Sequence, residues 1–459
     1  MRVINMASIR DIIKDRERCI TENIDEKYQS DVLGRLKGCA DTVVFPVSTE
    51  EVSQIMKYAW ENNIPVTPRG AGTNLVGSTV PIRGGIVLDL SRMNRILELD
   101  EDTMTAVVEP GIFLEDFQKY VEARGLFYPP DPGEKQSSIG GNISTNAGGM
   151  RAVKYGVTRD YVRGLEVVLA NGDVITVGSK NVKDASGLSL KNLIVGSEGT
   201  LAVITKCILK LIPKPKDSLS VLVPYPDIQT GTSSVLTLLK GNVGPTAVEF
   251  VERGVAKLGE DFTGTTFPYP EAGAYIILTF DGEPEEVALH IEKARKLALE
   301  NGAMAFIVLD DPEESARIWK MRGSLVKAVE AVSEQEPVDL VVPISKVDAF
   351  IQFVGEQEKK SGMQLIRFGH AGDGNVHLCV VRGDRDDETW QRELHENMVA
   401  LYHHAYVLGG LTSGEHGIGL SKRPYFLEET SDLVLKTMRQ IKFSLDEKGI
   451  LNNHKSYLA

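Results

Sequence analysis

Two glycine-rich turns in the second half of the chain carry three histidines and a carboxylate. The first is Arg367-Phe368-Gly369-His370-Ala371-Gly372-Asp373-Gly374-Asn375-Val376-His377, and the second is Gly414-Glu415-His416-Gly417-Ile418-Gly419. Gly372-Asp373-Gly374-Asn375 between two apolar runs predicts a hairpin that carries His370 and His377 onto facing strands. Facing positions lie about 4.5–5.5 Å apart at Cα, close enough for two imidazoles to share one ion. Glu415 from the second turn completes a set of three ligands, with positions left for water or substrate, as in a catalytic site. The spacing is no established signature. A surface hairpin with two incidental histidines beside an unrelated Glu-His pair accounts for it equally well.

The rest of the chain narrows what such a site can serve. At 459 residues, two or three domains are expected. With 51 basic and 64 acidic residues the net charge is −13, which repels nucleic acid and anionic membrane. Cys19, Cys39, Cys207 and Cys379 form no Cys-x-x-Cys pair, which argues against a disulfide framework or an iron–sulfur cluster and for a reduced compartment. Charged residues from Arg10 to Arg18 occupy the place of a signal-peptide core, and no apolar run is long enough to span a bilayer. A cytoplasmic protein without a transmembrane segment is the expectation.

The elements that must position the site begin with Ser48-Thr49-Glu50-Glu51, a capping box followed by Val52, Ile55, Met56, Ala59 and Trp60 at helical spacing. A strand over residues 64–67 then runs into Pro68-Arg69-Gly70-Ala71-Gly72-Thr73-Asn74, whose backbone N–H groups suit a phosphate. A second small-residue segment follows Pro129-Pro130-Asp131-Pro132-Gly133 and runs from Ser138 to Gly149, with room for something flat and polar against its backbone. Neither segment fits the Rossmann fingerprint or the P-loop. Strands are expected at 85–90, 96–99 and 104–108, a helix at 114–124, and a hairpin about Asn171-Gly172. A third glycine turn, Gly196-Ser197-Glu198-Gly199-Thr200, reads as a link between two buried strands, and Lys214-Pro215-Lys216 as a boundary.

These three segments, in this order, resemble the flavin-binding segments of the vanillyl-alcohol oxidase and p-cresol methylhydroxylase superfamily. The resemblance implies an α+β fold: a two-subdomain FAD-binding domain of the p-cresol methylhydroxylase type at residues 1–216, and an α+β cap domain with a mostly antiparallel sheet at 217–420. A C-terminal segment, 421–459, would return to the FAD domain. It further implies FAD contacts at Pro68, Arg69, Gly70, Ala71, Gly72, Thr73, Asn74, Gly77 and Ser78 around the pyrophosphate. Pro132, Ser138, Ile139, Gly140, Gly141, Asn142, Ser144, Thr145, Gly148, Gly149 and Gly156 would lie along the flavin, and Glu198, Gly199 and Ile204 nearer the middle and adenine. Asn452 would touch the flavin from the C-terminal segment, where Asn453-His454-Lys455 stands in place of the Pro-Gly-Lys of many relatives. The first histidine in the chain is His290 and no cysteine lies in a flavin loop, so FAD is expected to be non-covalent.

From Ser218 the pattern changes to strands and helices without glycine-rich loops, with a long helix expected at 313–332. His395, His403 and His404 fall on a helix and read as surface or packing residues. The two histidine turns now resemble those of the glycolate oxidase flavoprotein subunit and the FAD-linked D-2-hydroxyacid dehydrogenases. That resemblance implies His370, His377 and Glu415 as ligands of one divalent metal (zinc, iron or manganese), His416 as base, and Arg322 of Trp319-Lys320-Met321-Arg322 as the grip on a substrate carboxylate. The implied reaction is oxidation of a small D-2-hydroxy acid, D-lactate or glycolate, with hydride passing to flavin N5. A partner such as an electron-transferring flavoprotein or an iron–sulfur subunit would take the electrons. Another alcohol or an ether-lipid precursor as substrate, or direct use of oxygen, is the alternative.

Overall fold

A computed structural model describes residues 6–458. They form two units: residues up to Gly148, Val157–Lys214 and Glu415 onward make the first, and Gly149–Gly156 with Pro215–Gly414 the second. The chain re-enters the first unit at Glu415, earlier than the expected 421, so the Glu-His turn belongs to the same unit as the first glycine-rich loops.

In the first unit, helix Thr49–Asn62 starts where its cap predicts: Ser48 Oγ accepts from Glu51 N at 3.2 Å, and Asn63 ends it in the left-handed region. Val52, Ile55, Met56 and Ala59 are buried against strands Val66–Arg69 and Ile86–Asp89. These strands belong to a four-stranded sheet with Cys19–Ile20 and Thr42–Val44. The strand expected at 64–67 starts two residues later, because Ile64 still closes the preceding helix through its N–H to Ala59 O. The second subdomain is a five-stranded antiparallel sheet ordered Ile96–Asp100, Thr105–Val108, Val203–Lys210, Val162–Val168, Val174–Gly178. Its Asn171-Gly172 hairpin forms as expected, and Ser53 Oγ donates to Gly172 O at 2.6 Å.

Two local expectations are corrected. The residues before Gly196 form a helix, Leu190–Ile194, rather than a strand. Ile139–Thr145 is a helical turn rather than an open loop, because Ser138 caps it and Gly140 lets it close against Pro110. The last helix, Asp432–Leu445, is fastened by Lys442, whose fully buried ammonium donates to Thr200 O, Asp446 Oδ2 and Leu451 O. Leu451 then runs parallel to Val66, adding the C-terminal segment to the edge of the first sheet.

The second unit is built on one antiparallel sheet of seven strands. Their order is Ile307–Leu309, Asp217–Tyr225, Ala274–Gly282, Ala247–Glu252, Leu365–His370, Asn375–Val381, Gln335–Val341. Strands such as Asn375–Val381 are buried along their whole length, as in a sheet covered on both faces. On one face Leu222, Val251, Tyr275, Ile277, Phe368 and Cys379 pack against Val255, Ile318, Met321 and Leu325 of three helices. The single helix expected at 313–332 is two, Pro312–Gly323 and Leu325–Glu330, separated at Ser324.

Candidate active site

The functional side chains of the first unit gather where the glycine loops meet the Glu-His turn. Asn74 shapes the loop after Gly72: its Oδ1 accepts from Val76 N and Ser78 N, both at 3.0 Å, and its Nδ2 donates to His416 O at 3.1 Å. Glu198 clamps the same turn from the other side. Its Oε1 accepts from Ile418 N at 3.0 Å and its Oε2 from Gly419 N at 2.8 Å and from Ser78 Oγ. Gly417, at φ +82°, lies so close to Glu198 that a Cβ there would sit 3.0 Å from its Cδ. His416 is therefore built onto the expected pyrophosphate loop by backbone bonds. Its Nε2 lies 3.5 Å from Glu415 Oε1.

The FAD residues inferred by resemblance divide into those left open and those spent on the fold. The backbone from Gly70 to Asn74 is half-exposed, and Ser138 Oγ accepts from Ala71 N and Gly141 N, joining this loop to the 139–145 turn. Asn142 Nδ2 is buried without a hydrogen-bond partner, a donor that a bound heterocycle or phosphate would satisfy. That orphaned donor beside the half-buried Gly70–Asn74 loop fits a polar cofactor. Other candidates are engaged within the unit. Glu198 has its carboxylate on the turn described above. Ser144 Oγ and Thr145 Oγ1 donate to Gly140 O and Gly141 O. Ile204 is buried in its strand. Arg69 is buried beside Asp89, and its guanidinium lies over the Tyr28 ring; burial pulls its pKa down although Asp89 opposes the shift. Asn452 donates from Nδ2 to Ser78 O and Glu198 O, tying the C-terminal segment to both loops. Gly149 and Gly156 fall in the second unit.

In the second unit the hairpin forms, with its register shifted from the expectation. Phe368 pairs with His377 and His370 with Asn375, so the histidines are diagonal neighbours rather than facing ones. They share a sheet face, and their rings meet edge to face at 4.9 Å between centroids. Glu249 pairs with His370 across the next strand, and Asp339 with His377 on the other side. Four polar side chains thus end an otherwise apolar face. Glu249 Oε1 lies 2.6 Å from His370 Nδ1, while its Oε2 accepts from Arg322 Nε at 3.0 Å and Nη2 at 2.5 Å. Burial drives the Glu249 carboxyl up, but His370 and Arg322 together outweigh it and hold it below the usual range. Asp339 accepts from Asn375 Nδ2, Gly414 N and Ser413 Oγ, fixing the residues that lead directly into Glu415. A carboxylate only accepts, so Glu249 takes the Nδ1 proton of His370; in the neutral ring that leaves Nε2 with the lone pair a divalent cation needs.

Arg322 is engaged within the unit: its Nε–Nη2 edge is turned to Glu249. The reason is energetic: a carboxylate buried in an apolar face needs a cation, and Arg322 on the packed helix supplies it. Glu249 and Asp339 went unread in the sequence. The one available signal was a glutamate in mid-strand within the apolar run Ala247-Val248-Glu249-Phe250-Val251.

Lys455, only 1% exposed, donates to Ser78 O at 2.8 Å and Asn452 Oδ1 at 2.6 Å. Burial lowers its pKa to about 7 against the opposing pull of Glu198. An unfolded lysine titrates near 10.5, so between about 7 and 10.5 the unfolded chain holds a proton that the folded chain has released. Stability therefore rises with pH across that window and is lowest below it, by a few kcal/mol at about 1.4 kcal/mol per unit. Urea unfolding followed across the window should show this slope in the wild type and a flatter one in Lys455→Met. Equal slopes would show that the amine stays charged in the fold.

The fold and site define a flavoprotein. A solved structure of p-cresol methylhydroxylase matches with a TM-score of 0.80 at 17% identity, covering 98% of this chain and 96% of that one. The chain matches the FAD binding domain family over residues 40–178, and the C-terminal domain of FAD linked oxidases over residues 214–456. Among curated relatives, D-lactate dehydrogenase of Anaerostipes hadrus is 40% identical over 442 residues, 94% of this chain and 93% of that protein. Glycolate oxidase subunit GlcD of Bacillus subtilis (strain 168) is 37% identical over 447 residues, 95% of this chain and 94% of that protein. The chain belongs to the FAD-linked oxidase family, and it is an FAD-dependent oxidoreductase. No helix among the described residues is long and apolar enough to cross a membrane.

Proposed function

We propose that this enzyme oxidises a small D-2-hydroxy acid, D-lactate or glycolate, to the 2-oxo acid in the cytoplasm. The observation that supports the reading is at His416: its backbone is bonded to Asn74 and its turn to Glu198, two residues of the loops that the reading gives to FAD. His416 takes the hydroxyl proton, the task an imidazole suits near neutral pH. FAD, when bound, supplies the two-electron sink for the C2 hydrogen. His370, His377 and Glu415 are the residues that would hold a divalent metal, the first two side by side on their sheet and the third joined directly to Gly414. Such an ion acidifies and orients a hydroxyl.

The names of the relatives support the substrate class, and the word "subunit" in one of them supports electron transfer to a partner protein. That partner would be an electron-transferring flavoprotein or an iron–sulfur subunit. Anaerobic mixing of the FAD-loaded enzyme with a panel of small 2-hydroxy acids tests the reading. Bleaching of the flavin is expected with D-lactate or glycolate, and a flavin that stays oxidised with every member rules the substrate class out. Rapid peroxide formation in air would replace the partner protein with oxygen.

A further inference from the structure

Glu249 occupies a position that an apolar residue would fill at less cost. It is fully buried, in mid-strand, on the face that Val251, Tyr275, Phe368 and Met321 make into a core. Taking a carboxylate out of water costs several kcal/mol even when it is paired, and a well-packed hydrophobic pair in its place is often as stable or more so. A charge kept at such a site has something to do beyond holding the fold. Its geometry says what. The two carboxylate oxygens face different ways, Oε1 to His370 Nδ1 at 2.6 Å and Oε2 to the Arg322 edge. The ladder sets Glu249 directly opposite His370, and Arg322 is steadied by the Phe368 ring 5.4 Å beneath its guanidinium carbon.

We propose that Glu249 is the positioning residue of the histidine pair: held by Arg322, it accepts the Nδ1 proton of His370 and so selects Nε2 as the metal donor. Arg322 acts on the histidine through Glu249, by holding that carboxylate. The inference rests on reading His370 as a metal ligand. It assigns a role to a residue 121 positions away in sequence. A carboxylate behind a ligating imidazole fixes the ring and raises its basicity, and losing one costs about 10–100-fold in metal affinity.

The test uses the FAD-loaded full chain stripped of metal, titrated with Zn2+ in competition with a chromogenic chelator. Charge-balanced double substitutions avoid stranding a buried ion. E249Q/R322Q keeps an acceptor for His370 and is expected to bind Zn2+ within several-fold of the wild type. E249M/R322M removes the acceptor and is expected to bind about 10–100-fold more weakly at equal FAD content. Wild-type affinity in the methionine pair overturns the positioning role. Absence of one tight Zn2+ per chain in the wild type, or wild-type affinity in His370→Ala, overturns the metal reading and the inference with it.

A second measurement needs no variant in the core. In the metal-free wild type labelled with 15N-histidine, the resonances that disappear in His370→Ala should be those of an Nδ1-protonated ring. An Nε2-protonated ring overturns the inference without touching the metal reading.

Discussion

Replacing His416 with alanine is expected to slow anaerobic flavin reduction by the preferred 2-hydroxy acid about 10²–10⁴-fold, the usual contribution of a positioned general base. The bound FAD should remain. The turn is held by its own backbone, through His416 O to Asn74 and through Ile418 N and Gly419 N to Glu198, and alanine keeps all three bonds. Stopped-flow absorbance at the flavin band, together with the FAD-to-protein ratio, separates loss of chemistry from loss of cofactor. The pH dependence that a base imposes on the reduction rate should weaken in the same variant. A His416→Ala enzyme that reduces its flavin at near the wild-type rate would leave His416 as a neighbour of Glu415 and nothing more.

His377→Ala is expected to abolish stoichiometric metal and to slow flavin reduction by a comparable factor. A Lewis acid at a reacting oxygen is worth several kcal/mol, and about 1.4 kcal/mol is tenfold in rate. Treating the wild type with a chelator should reproduce the loss, and adding Zn2+ or Mn2+ should restore the wild type but not the variant. Elemental analysis and reduction kinetics read the two effects independently. The substitution also removes a ring packed on Phe368 at 5.8 Å between centroids, so thermal unfolding belongs beside them. Full activity in chelator-treated wild type would remove the metal from the reaction, while the prediction for His416 would still stand.

Much of the scaffold was legible because it is decided within a few residues. Ser48 caps the helix it heads. Asn171-Gly172 turns the hairpin it predicts. The glycine loops announce themselves by composition. Two of the elements misread, Leu190–Ile194 and the 139–145 turn, are short, and the second closes against Pro110. Side-chain period alone cannot separate such a segment from a strand or a loop.

By itself, then, the sequence singled out the candidate residues for chemistry: three histidines and Glu415 in two glycine turns, after three segments of glycine-rich composition. Tertiary structure alone decided how they are held. It set the diagonal register of His370 and His377, and the buried bridge of Glu249 to Arg322 and the Glu198 clamp on the Glu-His turn join residues 73 to 221 positions apart. The Glu198 carboxylate and the Nε–Nη2 edge of Arg322 take partners within the protein that the sequence did not reveal. The physical reason is that a buried charge takes its partner from whatever the fold brings beside it, and that neighbour leaves no local trace.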